Sequence, residues 1–403
     1  MISYRGDDEE EASADVPVIT ALAREFAVCD HWFSSMPGPT WPNRLFVHAA
    51  SSAGLDDSPT SLRSATAIVH GYEFEHGTLY DRLQRAKLPW HIVEGDALPQ
   101  SLTIGGMIEH AVAGRFIGLE DLRRRLQSAE FNDAYVFIEP SYGHVLADGR
   151  NFKCGTSMHP LDDVTRGERL VKDVYEMIRN SPAWPTSLLV VMYDEHGGFY
   201  DHVVPPPAVP PGDRFDAHTN THGFRFDQLG VRVPVVIVSP HVRRGVIDHT
   251  VYDHTSLLAT VEHLYGLEPM TARDAGAARF DHLLDAPAGR EDAPARLPDP
   301  AVSGVRDCEA ETWEQRLAGD LEHMPDHLSG DVETALIGFL HVAVARELHL
   351  AATLDRRAAR ALDREQDRVL TAVNGVRTKF DAVKLLRDVE RRYARHRNEV
   401  RTA

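Results

Sequence analysis

The chain has 403 residues, of which 43% are hydrophobic, and it carries a formal net charge of −18 at pH 7. This length allows one large α/β domain with an appendage, or two domains, and the apolar fraction is sufficient for a real core. The acidic balance argues against a nucleic-acid or anionic-membrane surface, because such surfaces need basic patches that displace counterions. No segment near the first residue has a secretory apolar region, and no run reaches the length of a membrane span. We therefore expect a cytoplasmic chain as written, with no integral membrane segment, and a secreted or periplasmic one if the true start lies upstream.

The cysteines are odd in number and far apart, at Cys29, Cys154 and Cys308. Such spacing indicates neither a disulfide framework nor a cysteine-based zinc site. We expect three ordinary thiols.

The first elements lead into an unusual loop. Residues 16–26 have helical spacing, and residues 26–29 predict a short strand that ends at Asp30. The loop at 34–44 reads SSMPGPTWPNR, and its Pro42 suits the first turn of a helix that continues to Ala50. Thr40 then lies at or near the helix N-cap, where free backbone N–H groups could hold a phosphoryl group. A simple capping role for Thr40 is the alternative interpretation.

The middle of the chain alternates between strand and helix patterns. Strands are predicted at 134–138 and 233–238, and helices at 165–180 and 256–265. This alternation is typical of an α/β fold with a mostly parallel sheet sandwiched by helices.

A cluster of acids and imidazoles follows another buried strand. Residues 188–202 read LLVVMYDEHGGFYDH, so an apolar run leads directly into five ionisable residues within nine positions. Ligand-binding groups in open α/β sheets collect beyond the carboxyl ends of strands, and carboxylates with neutral imidazoles suit a divalent cation of unknown identity. A solvated loop with a Gly-Gly turn is the alternative. The density of ionisable residues favours a functional site.

The composition changes towards the carboxyl terminus. Residues 1–284 are predicted to form the α/β domain, residues 285–311 a linker rich in proline and charge, and residues 312–403 an all-helical extension. Its predicted helices are 331–354, 357–373 and 377–400. The basic residues of the last one are more typical of a solvated face than of a partner-binding surface, although these helices are candidates for association.

Four ordered segments carry a family resemblance. They are PGPTWPNR at 37–44, DEHGG with the following DH at 194–202, LGVRVP at 229–234, and YDHTS at 252–256. Together they resemble the bacterial phosphoesterase family of phospholipases C and acid phosphatases, over roughly residues 16–284.

The resemblance implies an alkaline-phosphatase-like fold and metal-dependent hydrolysis of phosphate esters, either phospholipids or small phosphomonoesters. By position, Thr40 matches the family's nucleophile and metal ligand, and Asp194 and Glu195 match its carboxylate ligands. Asn43 and Arg44 follow the nucleophile as candidate substrate-binding residues. The family's active-site histidines match four positions, which are His159, His196, His202 and His254.

Two departures from the family pattern leave alternatives open. The family's N-terminal Glu-Asn-Arg-Ser-Phe-Asp-His motif has no counterpart here, and His159 lacks the acid or second histidine that usually precedes it. One alternative is a catalytically weakened homologue that binds a ligand or a partner. A less supported one is a hydrolase of another ester, such as a sulfate ester.

Overall fold

The computed structural model describes residues 15–59, 71–96, 99–143, 154–160, 163–215 and 217–302, with a few single positions between 376 and 392. The strands in these ranges are β1 (Ala27–Cys29), β2 (Trp90–Val93), β3 (Phe116–Ile117), β4 (Tyr135–Ile138), β5 (Leu189–Met192), β6 (Val235–Val238) and β7 (Val246–Asp248). The helices are α1 (Pro17–Glu25), α2 (Thr40–Ala49), α3 (Leu79–Arg85), α4 (Met107–Val112), α5 (Leu119–Leu126), α6 (Val164–Arg179), α7 (Thr255–Tyr265) and α8 (Ala272–Gly276).

The strands form two sheets, with the orders β5-β6-β1-β7 and β3-β2-β4. The pairs β1–β7, β2–β3 and β2–β4 are parallel, whereas β6 runs antiparallel to both β1 and β5. The α/β class is confirmed, and most described pairs are parallel. The reversal of β6 has a simple cause: the long loop after β5 returns to the same edge of the sheet, and an antiparallel strand needs no crossover helix.

The predicted elements of the central region are confirmed. The strand predictions at 26–29, 134–138, 188–192 and 233–238 correspond to β1, β4, β5 and β6, and the helix predictions correspond to α1, α2, α6 and α7. All four residues of β6 are buried, as expected for a continuous Val/Ile run inside a sheet. The strands β2, β3 and β7, of four, two and three residues, were not predicted.

The segment predicted as the start of a linker packs against α6. The hydroxyl of Tyr175 donates to the carbonyl of Pro294 at 2.6 Å, and the guanidinium of Arg179 donates to the carbonyl of Ala293 at 2.9 Å. Ala293 and Leu297 belong to the main hydrophobic core. The three helices predicted after residue 312 lie outside the described residues, apart from isolated positions, so the domain boundaries stay predictions.

One expectation about the cysteines is wrong. Cys29 is a buried free thiol, but Cys154 is disulfide-bonded, and its partner lies outside the described residues. Sequence spacing does not reveal such a pair, because distant cysteines can meet only through the tertiary fold. Within the described part of the chain, no helix has both the length and the apolarity needed to cross a membrane.

A buried guanidinium joins four segments of the core. Arg273 donates to the carboxylate of Asp253 at 2.8 Å, to the carbonyl of Phe226 at 2.8 Å and to the carbonyl of Ser35 at 3.3 Å. Its guanidinium carbon also lies 5.3 Å from the ring centroid of Phe46. Both members of the ion pair are buried, at 4% and 6% side-chain exposure.

We expect Arg273→Met to lower the free energy of unfolding by about 3–5 kcal/mol, because it leaves the Asp253 carboxylate buried without its partner. Urea unfolding of the purified chain measures this loss. The matched control is Arg279→Met, since Arg279 is 45% exposed and pairs with Asp281 at the surface, where a loss below about 1 kcal/mol is expected. Equal losses of stability in the two variants would contradict the conclusion that the buried contacts of Arg273 stabilise the core.

Candidate functional site

The candidate site lies at one edge of the four-stranded sheet. Strands β5 and β1 are both antiparallel to β6, and β7 is parallel to β1, so β5, β1 and β7 end at the same edge. Asp194 and Glu195 follow β5, Asp30 follows β1, and His249 follows β7. The fold therefore gathers acids and imidazoles at the carboxyl ends of its strands, where α/β folds bind ligands.

Asp194 and Glu195, the predicted carboxylate ligands, follow β5, and their role as ligands stays a prediction. No described residue hydrogen-bonds the Asp194 carboxylate, whereas its backbone carbonyl accepts a hydrogen bond from Nε2 of His254 at 2.7 Å. The Glu195 carboxylate accepts from the backbone N–H of Gly197 at 2.7 Å. Burial, assisted by the nearby Asp194 charge, raises the pKa of Glu195. Such a pair favours a cation, because a positive charge relieves both the desolvation and the mutual repulsion of the carboxylates.

The nucleophile candidate begins helix α2. The N-cap of α2 is Pro39 and Thr40 is the first helical residue, so the alternative in which Thr40 caps the helix does not apply. Thr40 is half-buried, and no described residue hydrogen-bonds its hydroxyl. The hydroxyl lies at the positive end of the helix dipole, beside backbone N–H groups that lack intrahelical acceptors.

Asn43 holds the loop before Thr40 in place through hydrogen bonds to its backbone. Its carboxamide nitrogen donates to the carbonyls of Gly38 at 3.0 Å and of Met36 and Pro39 at 3.2 Å, and its oxygen accepts from the Met36 N–H at 3.1 Å. Asn43 is fully buried. These contacts give Asn43 a positioning role for Thr40, while the predicted contact with substrate stays a prediction.

Arg44 is held by a second buried carboxylate. Its guanidinium lies 3.2 Å from the Glu139 carboxylate and 5.1 Å from the ring centroid of Tyr142. Glu139, at the end of β4, also accepts from the backbone N–H groups of Gln100 and Ser101 at 2.5 and 3.2 Å. Arg44 therefore ties α2 to the three-stranded sheet, and its predicted role in substrate binding stays a prediction.

The predicted histidines differ in their surroundings. His254 is fully buried, and its Nδ1 accepts a hydrogen bond from the Trp32 indole at 3.2 Å while its Nε2 donates to Asp194. Burial lowers the pKa of His254, and the indole that donates to Nδ1 also requires the neutral ring, so both nitrogens are engaged. His254 thus positions Asp194 and has no free nitrogen for proton transfer in this arrangement.

The other three histidines lie nearer to solvent. His196 is partly buried with Nδ1 at 3.6 Å from the Glu195 carboxylate, and burial lowers its pKa. The side chain of His202 is 82% exposed, with Nδ1 at 3.3 Å from the Asp201 carboxylate. His159 is half-buried and precedes Pro160, whose ring lies against Gly197.

Several groups at this edge were not predicted as site residues. Arg232 forms a two-pronged ion pair with Asp201, at 2.6 and 2.9 Å, and donates to the backbone carbonyl of Asp30 at 3.0 Å. In the described part of the chain, one set of three His, Cys, Asp or Glu residues has ligand atoms all within 4.8 Å of one another: Asp30, His31 and His249. The sequence signalled only Asp30, at the end of a predicted strand, because His249 reaches it through strand pairing.

The turn after Glu195 depends on two glycines with positive φ. A Cβ at Gly197 (φ 66°) would lie 2.7 Å from the Pro160 ring and 3.0 Å from the Phe199 ring, whereas a Cβ at Gly198 (φ 74°) would meet nothing within 4 Å. The two positions therefore share a backbone requirement and differ in the space available.

We expect Gly198→Ala to cost about 1 kcal/mol of folding stability, from the positive φ alone. Gly197→Ala should cost about 1–3 kcal/mol more, because its methyl group also collides with Pro160. Urea unfolding of the two variants separates the cost of the positive φ from the cost of the collision with Pro160, with Gly198→Ala as the matched control. Indistinguishable losses would show that Pro160 does not constrain this turn.

Comparison with known proteins places the chain in a family. The model of the Phosphoesterase family matches residues 11–268. Non-specific phospholipase C3 of Arabidopsis thaliana is 34% identical over 310 residues, which cover 74% of this chain and 56% of that protein. Phospholipase C B of Mycobacterium tuberculosis strain H37Rv is 30% identical over 275 residues, covering 63% of this chain and 51% of that protein.

The similarity to solved structures is weaker. A protein in the alkaline phosphatase superfamily from Vibrio parahaemolyticus aligns with a TM-score of 0.36 and 12% identity, covering 66% of this chain and 65% of that chain. The chain spans about half the length of the curated relatives it matches. With the family model matching well over half of its residues, the chain belongs to the Phosphoesterase family.

Proposed function

We propose that this chain hydrolyses phosphate esters, with Thr40 as the nucleophile and a divalent cation held by Asp194, Glu195 and Thr40. The observation that carries the proposal is the Asp194–Glu195 pair, which His254 and Gly197 fix at the carboxyl edge of the sheet. Two carboxylates and a hydroxyl form an oxygen donor set of the kind that hard divalent cations prefer. A bound cation would neutralise phosphoryl charge and lower the pKa of the Thr40 hydroxyl.

The reaction divides into two displacements. The Thr40 oxygen attacks phosphorus, the bond from phosphorus to the leaving oxygen breaks, and the leaving oxygen takes up a proton to depart as an alcohol. Water then attacks the phospho-threonine, so that Thr40 regains its proton and the phosphate product leaves. His196 is the proposed proton carrier, because burial lowers its pKa and so favours the neutral ring, and because it adjoins Glu195.

The substrate class that we propose is phospholipid. The relatives named above are phospholipases C, and the loop after the DEHGG turn exposes apolar side chains. Tyr200 is 83% exposed and Val204 is 85% exposed, directly before Pro205. Exposed apolar groups beside a site mark a contact surface, and aromatic rings suit the lipid–water interface. With a net charge of −18, the preferred surface is zwitterionic.

Hydrolysis of p-nitrophenyl phosphorylcholine by the full chain with added Mg²⁺, Mn²⁺ or Zn²⁺ tests the chemistry. We expect Thr40→Ala and Asp194→Asn each to lower kcat/KM by about 10³-fold or more, and chelator to abolish turnover. The control is His222→Gln, a change at an exposed histidine paired with Asp57, which should leave turnover unchanged. Full activity in Thr40→Ala would refute the nucleophile, and a folded chain without turnover would favour the weakened homologue.

A second experiment tests the lipid surface. We expect Tyr200→Ser with Val204→Ser to lower turnover on phosphatidylcholine vesicles about 10-fold, because the loop loses apolar contact with the bilayer. Turnover of the soluble chromogenic ester should stay unchanged. Val302→Ser, at a valine that is 96% exposed and lies outside this loop, is the matched control. Equal losses on vesicles and on the soluble ester would contradict interfacial docking.

A further inference from the structure

A second cluster of donor atoms lies at the same sheet edge, outside the machinery proposed above. Strands β1 and β7 pair in parallel with Cys29 opposite Asp248, and the backbone N–H of Asp30 donates to the Asp248 carbonyl at 3.1 Å. The next residues along the two strands, Asp30 and His249, therefore emerge side by side. His31 follows Asp30 directly, so two adjacent strand ends bring the three side chains together.

Their donor atoms converge on one small volume. Nδ1 of His31 lies 2.8 Å from the Asp30 carboxylate, and Nδ1 of His249 lies 2.9 and 2.8 Å from its two oxygens. The two imidazole rings stand nearly perpendicular, with centroids 6.0 Å apart. One donor atom from each residue lies within 4.8 Å of the others. Such spacing lets a single ion contact all three residues after small side-chain rotations.

We propose that Asp30, His31 and His249 form a binding site for a borderline transition-metal ion such as Zn²⁺, separate from the Asp194–Glu195 pair. Two imidazole nitrogens and one carboxylate oxygen suit Zn²⁺, Co²⁺, Ni²⁺ or Cu²⁺ and disfavour Mg²⁺ and Ca²⁺, which prefer oxygen alone. His249 is 71% exposed and the other two side chains are about one-third exposed. The ion would keep an open coordination position towards solvent.

The main chain of Asp30 is held by hydrogen bonds on both sides. The Asp30 carbonyl accepts a hydrogen bond from Arg232 at 3.0 Å, and its N–H is held by β7. Because these contacts fix the main chain of Asp30, only side-chain rotation is needed to receive the ion. Strand β6 lies between β1 and β5, so two strand spacings, about 10 Å, separate the cluster from the carboxylates after β5.

Cobalt titration of the full chain tests the site without relying on hydrolysis. The parent for this test is the full chain with the substitution Asp194→Asn, which weakens metal binding at the Asp194–Glu195 pair. Binding of Co²⁺ is followed by its visible absorption in an imidazole environment. We expect one equivalent to bind and one equivalent of Zn²⁺ to displace it, whereas excess Mg²⁺ should not. Adding His249→Gln should weaken Co²⁺ binding at least 10-fold, and adding Asp30→Asn as well should remove the absorption.

The matched control is His222→Gln in the same background, because His222 is also an exposed histidine, 65% exposed and 3.1 Å from Asp57. It should bind Co²⁺ like its parent. Circular dichroism and the urea midpoint of each variant exclude loss of fold as the cause. Absence of Co²⁺ absorption in the parent, or equal affinity in His249→Gln and His222→Gln, would overturn the proposal whether or not the chain hydrolyses esters.

Discussion

The candidate site depends on the hydrogen bonds and the ion pair that the buried guanidinium of Arg273 makes. It joins the loop before Thr40, through the carbonyl of Ser35, to the start of α7, through the carboxylate of Asp253. It also holds the carbonyl of Phe226, in the segment that returns to β6. A charge in the interior is tolerated only where hydrogen bonds replace its hydration, and these backbone and carboxylate acceptors do so for the two terminal nitrogens, while Nε is buried with no partner among the described residues. The same requirement forces three loops, far apart in sequence, to meet at one point.

A short chain of hydrogen bonds leads from Arg273 to the candidate metal ligand Asp194. Asp253 accepts from the N–H of Thr255 at 2.9 Å and so fixes the first turn of α7. His254, between them, is clamped by the Trp32 indole and by the Asp194 carbonyl. A sequence motif marked His254 as a candidate active-site histidine, and the tertiary contacts add that both of its ring nitrogens are hydrogen-bonded.

The sequence predicted those parts of the fold whose signal is local. The apolar run of β6, the 3.6-residue spacing of α6 and the two carboxylates after β5 can each be recognised in a short stretch of sequence. The sequence did not predict the pairing of β1 with β7, because β7 is three residues long and lies more than 200 residues from its partner. The Asp30–His249 cluster exists only through that pairing. The reversed direction of β6 was equally hidden, since its sequence would suit either direction.

Charge balance at the sheet edge supports the proposal that a cation takes part in phosphate chemistry in so acidic a chain. The arginines around the site are already committed to carboxylates: Arg44 to Glu139, Arg232 to Asp201, and Arg273 to Asp253. In the proposed function, a phosphoryl group bound at Thr40 would meet backbone N–H groups at the start of α2, but no arginine among these three without breaking an ion pair. Releasing one would leave a carboxylate unpaired in a partly buried site, at a cost of several kcal/mol. In the proposed function, a divalent ion on Asp194 and Glu195 would supply the missing positive charge without that cost, and it would offset the burial and the repulsion that together raise the pKa of Glu195.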